Sequence, residues 1–223
     1  PANHEGSKVK APDTPATVNL GKPEIIIYTT SWCGYCKKAK AYFSANKMPY
    51  TEYNIEGNPI QSFIDLVLET KPTQVTLVPD GVDAITSNAG WDTLQHQSFL
   101  QEVIGEFQQN GIRTSVFIGT DLQLIEAAAK TGTDRIELYT EDFATQYERG
   151  NKAAIKPYTE AAILAHSLGL GINAGHDLSL ENIQFFKENI PNLAEVSIGH
   201  ALIAESLYLG LENVVNMYLH RLK

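Results

Sequence analysis

Two cysteines form the most recognisable reactive motif of the chain. Cys33 and Cys36 are the only cysteines among its 223 residues, and they stand in a single CGYC between the apolar run IIIYTT and the helix-like stretch KKAKAYFSANK. A helix N-terminus with Lys37 and Lys38 nearby favours a thiolate on the first cysteine, and the second can resolve a mixed disulfide. Cysteines this close in sequence cannot staple a fold, so we predict a redox site with Cys33 as nucleophile, ahead of a zinc site or two inert buried thiols.

Carboxylates and imidazoles form a second candidate group. Glu56 ends NIE, Glu137 lies within RIELYT, His176 ends INAGH and His200 ends SIGH. A single glutamate in a strand is more often a salt-bridge residue, and a single histidine is more often a hydrogen-bonded packing group. If all four runs are parallel strands, however, these groups converge on one edge and suit general acid–base catalysis.

The elements that must position these groups alternate regularly along the chain. Short apolar runs begin at Tyr50, Gln74, Arg113, Arg135, Leu170 and Glu195, with amphipathic segments between them. Three of these segments end in Gly111, Gly132 and Gly169, which are typical C-terminal stops of helices. Alternation of this kind predicts a parallel sheet covered by helices.

The number of units favours one architecture. Residues 50–223 hold six units of roughly 28 residues, close to the repeat of a TIM-type (β/α)8 barrel. The IIIYTT run makes a seventh strand, so we predict an α/β fold of the TIM-barrel type that is incomplete, or closed by the CGYC segment. An open doubly wound sheet is the alternative, but the sequence has neither GxGxxG nor GxxxxGK[ST].

Composition narrows the function classes. The chain has 17 Lys and Arg against 26 Asp and Glu, a formal charge of −9, without a basic patch. This balance argues against nucleic acid and anionic membranes as partners. The sequence also has no apolar run near the roughly 18 residues that span a bilayer and no visible signal peptide, so we expect a cytoplasmic protein. Residues 1–22 are rich in proline and polar residues and are predicted to be a flexible tail or linker.

The CGYC segment resembles part of a known family. KPEIIIYTTSWCGYCKKAKAYFSANKMPYTEYNIE is similar to the opening strand–helix–strand of a glutaredoxin. The resemblance implies that residues 23–53 form this unit, with Cys33 attacking, Cys36 resolving and glutathione as the reductant. If the unit occupies the place of one β/α repeat, Cys33 would lie at the carboxyl end of a barrel strand.

Residues 54–223 resemble a different family. Its motifs are NIEGNP, ETKPTQVTLVPD, TSNAGWD, GIRTSVFIG, AAAKTGTDRIELYTEDFA, HSLGLGINAGHDLSLEN and LAEVSIGHALIAESLYLGL, which together resemble pyridoxine 5′-phosphate synthase of vitamin B6 biosynthesis. The resemblance implies a TIM barrel that condenses 1-deoxy-D-xylulose 5-phosphate with 3-amino-2-oxopropyl phosphate and releases phosphate and water. It implies no metal and no cofactor, small phosphorylated substrates, and a homo-oligomer.

The same resemblance assigns roles to residues. Glu56 would be a general base, Glu137 a stabiliser of the transition state and His176 the general acid. The substrate-binding positions would be Thr86, Asp177, Gly199 and His200, with Thr86 on the deoxyxylulose phosphate. Gly199 and His200 would open the helix after the last strand, where backbone N–H groups and the helix dipole suit a phosphate.

The chain also departs from the family pattern. The first two strands of the family carry Asn-x-Asp-His and His-x-Arg motifs, and residues 1–53 contain neither one. Three hypotheses follow. The first is a synthase-like enzyme that retains the residues above, and the second is a thiol–disulfide oxidoreductase that uses Cys33 and Cys36. The third is a catalytically inactive remnant or fusion.

Overall fold

The computed structural model describes residues 25–27, 50–52, 54–81 and 87–223. For residues 25–27, 50–52 and 54 it describes the backbone alone. The predicted tail, both cysteines and Thr86 lie outside the described residues. The predicted division into residues 1–22, 23–53 and 54–223 stays a prediction for the same reason.

From residue 54 onward strands and helices alternate as predicted, but the run that begins at Tyr50, predicted as one strand, forms two strands that belong to different sheets. The strands are β1 (Ile25–Ile27), β2 (Tyr50–Glu52), β3 (Asn54–Gly57), β4 (Gln74–Leu77), β5 (Arg113–Ile118), β6 (Arg135–Tyr139), β7 (Gly171–His176) and β8 (Leu193–Ile198). The helices are α1 (Gln61–Thr70), α2 (Gln97–Gln109), α3 (Leu122–Lys130), α4 (Glu141–Glu148), α5 (Lys156–Ser167), α6 (Ile183–Asn189), α7 (His200–Leu209) and α8 (Leu211–Arg221). A 3₁₀ turn, Lys152–Ile155, precedes α5.

All pairing between the described strands is parallel. Strands β3 to β8 form one six-stranded sheet in chain order, and β1 pairs with β2 in a separate two-stranded sheet. The predicted α/β class is therefore confirmed. Among the described strands β8 pairs only with β7, so closure of the sheet by the CGYC segment is not seen.

The six-stranded sheet is strongly curled. Glu195 on β8 places Oε1 2.7 Å from Arg113 Nη2 on β5, three strands away. In a flat sheet, a strand spacing of about 4.8 Å would separate these two strands by about 14 Å. The side chains meet because the sheet curves into half of a barrel, which is compatible with an incomplete TIM-type barrel.

Apolar side chains pack between the convex face of the sheet and the helices. Val75, Val116 and Ile136 point outward from successive strands and are fully buried. Phe107 of α2 and Phe143 of α4 are among the helical residues that cover them. Strands buried on both faces have nearly continuous apolar runs, which is why the sequence predicted them well.

Glycines end the helices where predicted, with one helix predicted wrongly. Gly111, Gly132 and Gly169 have φ values of 78°, 82° and 82°, the left-handed conformation of a helix C-terminus. The stretch ESLYLGLENVVNMYLHRLK, which begins at Glu205, has a helical pattern throughout and predicts one helix, but Gly210, with φ 81°, divides it into α7 and α8. Helix α4 and the 3₁₀ turn were not predicted.

Candidate active site

Polar side chains line the concave face of the curled sheet in two layers. Residues two apart on a strand point to the same face. The layer nearer the amino ends of the strands, here called the ion-pair layer, consists of Gln74, Arg113, Arg135, Asn173 and Glu195. The next layer toward the carboxyl ends, here called the carboxyl layer, consists of Glu56, Thr76, Ser115, Glu137, Gly175 and Ser197.

In the ion-pair layer, one carboxylate lies between two guanidinium groups. Glu195 accepts from Arg113 at 2.7 Å, lies 3.3 Å from Arg135 Nη1, and accepts from Asn173 Nδ2 at 3.2 Å. Arg135 also donates to Asn173 Oδ1 at 2.8 Å, and Arg113 donates to Gln74 Oε1 at 2.6 Å. One carboxylate therefore joins side chains from four strands.

Glu137 is the most enclosed charged group of the carboxyl layer. It is 2% exposed, and its Oε2 accepts from Thr76 Oγ1 at 3.2 Å. Ser197 supplies a second side-chain hydrogen bond. A Cβ at Gly175 would overlap Glu137 Oε1, so only glycine leaves room for the carboxyl group at that position. The neighbours therefore fix Glu137 by hydrogen bonds and by shape.

Burial raises the pKa of both carboxyl groups. Desolvation, followed by the negative charges of Glu137 and Asp80, raises the pKa of Glu56 to about 8. Desolvation also raises the pKa of Glu137, against hydrogen bonds from Ser197 and Thr76 and the charge of His176. Glu56 therefore retains its proton near neutral pH, and the two groups interact across one site.

His176 lies at the carboxyl end of β7, as predicted. A carboxylate only accepts hydrogen bonds, so His176 Nδ1 donates to Asp177 Oδ2 at 2.6 Å. The imidazole meets the ring of Tyr139 edge-on, with 5.1 Å between centroids, and its centroid is 6.4 Å from that of His200. It also acts electrostatically on Glu137. Four of the predicted residues therefore occupy one neighbourhood: His176, Asp177, Glu137 and His200.

The predicted phosphate-binding positions lie at the same edge of the sheet. Helix α7 begins at His200 with Gly199 in the N-cap position, and both residues are exposed. The backbone N–H of Asp177 donates to Thr140 Oγ1 at 3.3 Å, and its side chain accepts from His176. The local structure after β7 and β8 is therefore the one that the sequence predicted.

The loop after β4 approaches this edge from the other side. Asp80 accepts a hydrogen bond from the Ser87 hydroxyl, and Tyr139 donates its hydroxyl proton to Ser87 O at 3.3 Å. Burial, with nearby carboxylates, raises the pKa of Tyr139 to about 12, so its hydroxyl stays neutral. Thr86 lies outside the described residues.

Sequence reasoning did not find four polar residues of this edge. They are Thr76, Tyr139, Thr140 and Ser197. Thr76 and Ser197 occupy alternate positions on strands beside predicted buried residues, which is the signal that could have identified them. Among the described residues no group of three His, Asp, Glu or Cys side chains is arranged to hold a metal ion. In the same part of the chain, no helix is long and apolar enough to cross a membrane.

Solved structures share the fold at low sequence identity. A 3-keto-L-gulonate-6-phosphate decarboxylase from Vibrio cholerae aligns with a TM-score of 0.54 and 10% identity, over 88% of this chain and 84% of the other. The BexX/CysO complex of Amycolatopsis orientalis contains a chain with a TM-score of 0.52 and 18% identity, over 82% and 72% of the two chains. These likenesses concern the fold alone.

Sequence relatives are much closer. Pyridoxine 5′-phosphate synthase of Flavobacterium johnsoniae is 73% identical over 173 residues, 78% of this chain and 73% of that protein. The synthase of Cytophaga hutchinsonii is 60% identical over 181 residues, 81% and 76% of the two chains. The family model described as "Pyridoxal phosphate biosynthesis protein PdxJ" matches residues 16–223, which include the CGYC segment. The chain belongs to this pyridoxal phosphate biosynthesis family.

Proposed function

We propose that this chain is a pyridoxine 5′-phosphate synthase. It would condense 1-deoxy-D-xylulose 5-phosphate with 3-amino-2-oxopropyl phosphate, with loss of phosphate and water. The observation that carries the proposal is the convergence of Glu56, Glu137 and His176 at the carboxyl edge of one curled parallel sheet, in a chain 73% identical to a synthase over 173 residues. Parallel barrels place catalysis at this edge.

Glu56 is the proposed general base. A base works best when its pKa lies near the operating pH, and the pKa of Glu56 is about 8. The protonated form of Glu56 predominates at neutral pH, and the minority carboxylate form is a stronger base than an ordinary glutamate and can accept a proton from a substrate. A carboxylate left free in water would be too weak a base for this task.

His176 and Glu137 are proposed to act on the other steps. The hydrogen bond to Asp177 orients the imidazole of His176, which would deliver a proton to a leaving oxygen. Glu137 would stabilise the positive charge that develops when an amine condenses with a ketone. Its position under His176, held by Thr76, suits a fixed negative group better than a mobile one.

The phosphate groups of the substrates would bind around this edge. Gly199 and His200 at the start of α7, Asp177 through its backbone, and Thr86 are the proposed positions. Helix α7 presents its first N–H groups beside His176, whose ring faces His200. The proposed reaction uses no resident metal or cofactor.

The test is product formation by the purified chain. The two substrates are supplied together, and pyridoxine 5′-phosphate and inorganic phosphate are both measured, with the Glu137→Gln variant as control. The proposal predicts equal amounts of both products, formed faster by the wild type than by the variant. Absence of product from the folded wild-type chain would reject it.

We further propose a glutaredoxin-like unit at residues 23–53, joined to the barrel portion at 54–223. The parallel pairing of β1 with β2 supports it, since a strand–helix–strand unit needs that pairing. Cys33 would attack a disulfide, Cys36 would resolve it, and glutathione would reduce the enzyme. Glutathione-dependent disulfide reduction by the wild type that disappears in Cys33→Ser would support this second activity. A wild-type chain without such reduction would reject the second activity.

We propose that the chain forms a homo-oligomer in the cytoplasm, with phosphorylated small molecules as its other partners. Large apolar side chains on α7 and α8 are exposed, including Leu207 at 81% and Tyr208 at 89%. Exposed apolar groups of this size favour association between subunits. Light scattering of the purified chain gives the subunit number directly.

A further inference from the structure

Thr140 stands at a helix start but does not cap its helix. It occupies the N-cap position of α4, where a threonine oxygen normally accepts from an N–H of its own first turn. Here no such bond forms. The hydroxyl instead donates to the carbonyl oxygen of Gly175 on β7 at 2.7 Å, and Thr140 is 0% exposed. Its side chain is therefore directed at the neighbouring strand.

The same hydroxyl binds the backbone on both sides of His176. Besides donating to Gly175 O, Thr140 Oγ1 accepts from the N–H of Asp177 at 3.3 Å. Between these two hydrogen bonds the backbone of His176 has φ 92°. Residues other than glycine rarely adopt this backbone conformation. Such a conformation persists only where the surroundings determine it.

This backbone conformation decides which way the imidazole points. In a regular strand His176 would follow Ile172 and Ala174, which lie four and two residues earlier and are buried on the convex side. The imidazole instead contacts the rings of Tyr139 and Phe117, at 5.1 and 6.3 Å between centroids. Both of those residues continue the concave-face positions of their strands. The positive φ therefore turns His176 back toward the carboxyl layer.

We infer that Thr140 is a positioning residue for His176. Its buried hydroxyl fixes the left-handed backbone that holds the imidazole over the concave face, beside Asp177 and Glu137. The inference rests on the proposed function only in treating His176 as the general acid. The structural half of it concerns the orientation of one imidazole and can be measured without turnover.

The chain offers a matched control for the loss of this hydroxyl. Thr131, 4% exposed at the end of α3, also donates to one backbone carbonyl, Ala128 O at 2.6 Å, and accepts from one backbone N–H, that of Thr133 at 3.4 Å. Thr131→Val therefore removes the same chemistry from a place that does not border the candidate site. Thr140→Val removes it beside His176, and Thr140→Ser retains it.

The experiment measures the environment of the His176 ring directly. Histidine-labelled wild type and variants are compared by NMR, with the His176 signals assigned from His176→Gln, and the exchange of the Asp177 amide hydrogen is followed. We expect Thr140→Val to shift the His176 ring signals and accelerate that exchange at least about tenfold, while Thr140→Ser and Thr131→Val keep wild-type values. Unchanged His176 signals in Thr140→Val, or equal changes in Thr131→Val, would overturn the inference. If Thr140→Val does not fold, the smaller substitution Thr140→Ala replaces it, with the same changes expected in the His176 signals and in the exchange of the Asp177 amide hydrogen.

Kinetics separates this inference from the proposed function. In active enzyme Thr140→Val should lower kcat about 10- to 100-fold with KM within about twofold, and Thr140→Ser should restore most of the loss. An equal loss in Thr140→Ser would count against a role for the hydroxyl. If the wild type forms no product, the proposed function fails, while the histidine spectra still decide whether Thr140 positions His176.

Discussion

The two layers on the concave face use buried carboxyl groups in opposite ways. In the ion-pair layer, Glu195 is shared between Arg113 and Arg135, and its charge is neutralised. In the carboxyl layer one step along the strands, Glu56 faces the negative charges of Glu137 and Asp80, and hydroxyl groups replace guanidinium groups as partners of Glu137.

This difference distinguishes carboxyl groups that stabilise the sheet from carboxyl groups that can take part in catalysis. A carboxylate matched by arginines keeps its charge and ties strands together, so it supports the curl of the sheet. A carboxyl group without such a partner has a raised pKa and can exchange protons near neutral pH. We therefore assign catalysis to the carboxyl layer and support of the sheet to the ion-pair layer.

The largest expected effect belongs to Glu56. Glu56→Gln removes the proposed base without adding charge, and we expect a loss of roughly 10²–10⁴-fold in kcat. The folded state should not be destabilised, because the change removes a carboxyl group that burial disfavours when ionised. Steady-state kinetics and thermal unfolding measure the two quantities, and wild-type activity in the variant would contradict the assignment.

Substitution of Glu137 is expected to cause the second largest loss of activity. Glu137→Gln keeps the shape above Gly175 but removes the fixed negative charge, and such electrostatic stabilisation is typically worth about 10²–10³-fold in kcat. Stability should change little, since an amide can still accept from Thr76 and Ser197. A large fall in the melting temperature of this variant with little loss of activity would show that Glu137 stabilises the fold rather than the transition state.

Glu195 should show the reverse pattern. Glu195→Gln leaves Arg113 and Arg135 without their shared carboxylate, and the partly exposed site should lose about 1–3 kcal/mol of unfolding free energy. Denaturant unfolding measures this loss. Glu160→Gln, which breaks the exposed pair with Lys156, is the matched control and should cost less than about 0.5 kcal/mol. Equal losses of unfolding free energy in both variants would show that the ion-pair layer stabilises the protein no more than an exposed ion pair does.

The last prediction concerns the slope of stability with pH. Glu56 has a pKa of about 8 in the folded chain against 4.5 for an ordinary glutamate, so the folded state binds more protons between these values. The unfolding free energy should therefore fall as pH rises from about 5 to about 8, and the fall should be shallower in Glu56→Gln. Glu195→Gln should keep the wild-type slope. A flat wild-type profile would contradict the raised pKa.

Much of the fold could be predicted from local patterns. The apolar runs at Gln74, Arg113 and Arg135 are strands because both faces are buried, and glycines such as Gly132 stop helices through a conformation open mainly to glycine. Glu137 and His176 were found because they interrupt or end such runs. These signals depend only on neighbours in the sequence.

The remaining features depend on contacts between distant strands. The bond from Thr76 to Glu137 joins residues 61 apart, and the bond from Thr140 to Gly175 joins residues 35 apart. Neither can be read from the chain without the register and curl of the sheet. The break at Gly210 was missed because the helical pattern continues on both sides of it.

The central claim is that Glu56, in the carboxyl layer, holds a proton at neutral pH. Infrared spectroscopy detects the carbonyl stretch of a protonated carboxyl group and tests this most directly. The account predicts this band in the wild type at neutral pH, its loss in Glu56→Gln and its persistence in Glu195→Gln. A wild-type chain without a protonated carboxyl group at neutral pH, or a band that disappears in Glu195→Gln, would contradict the account.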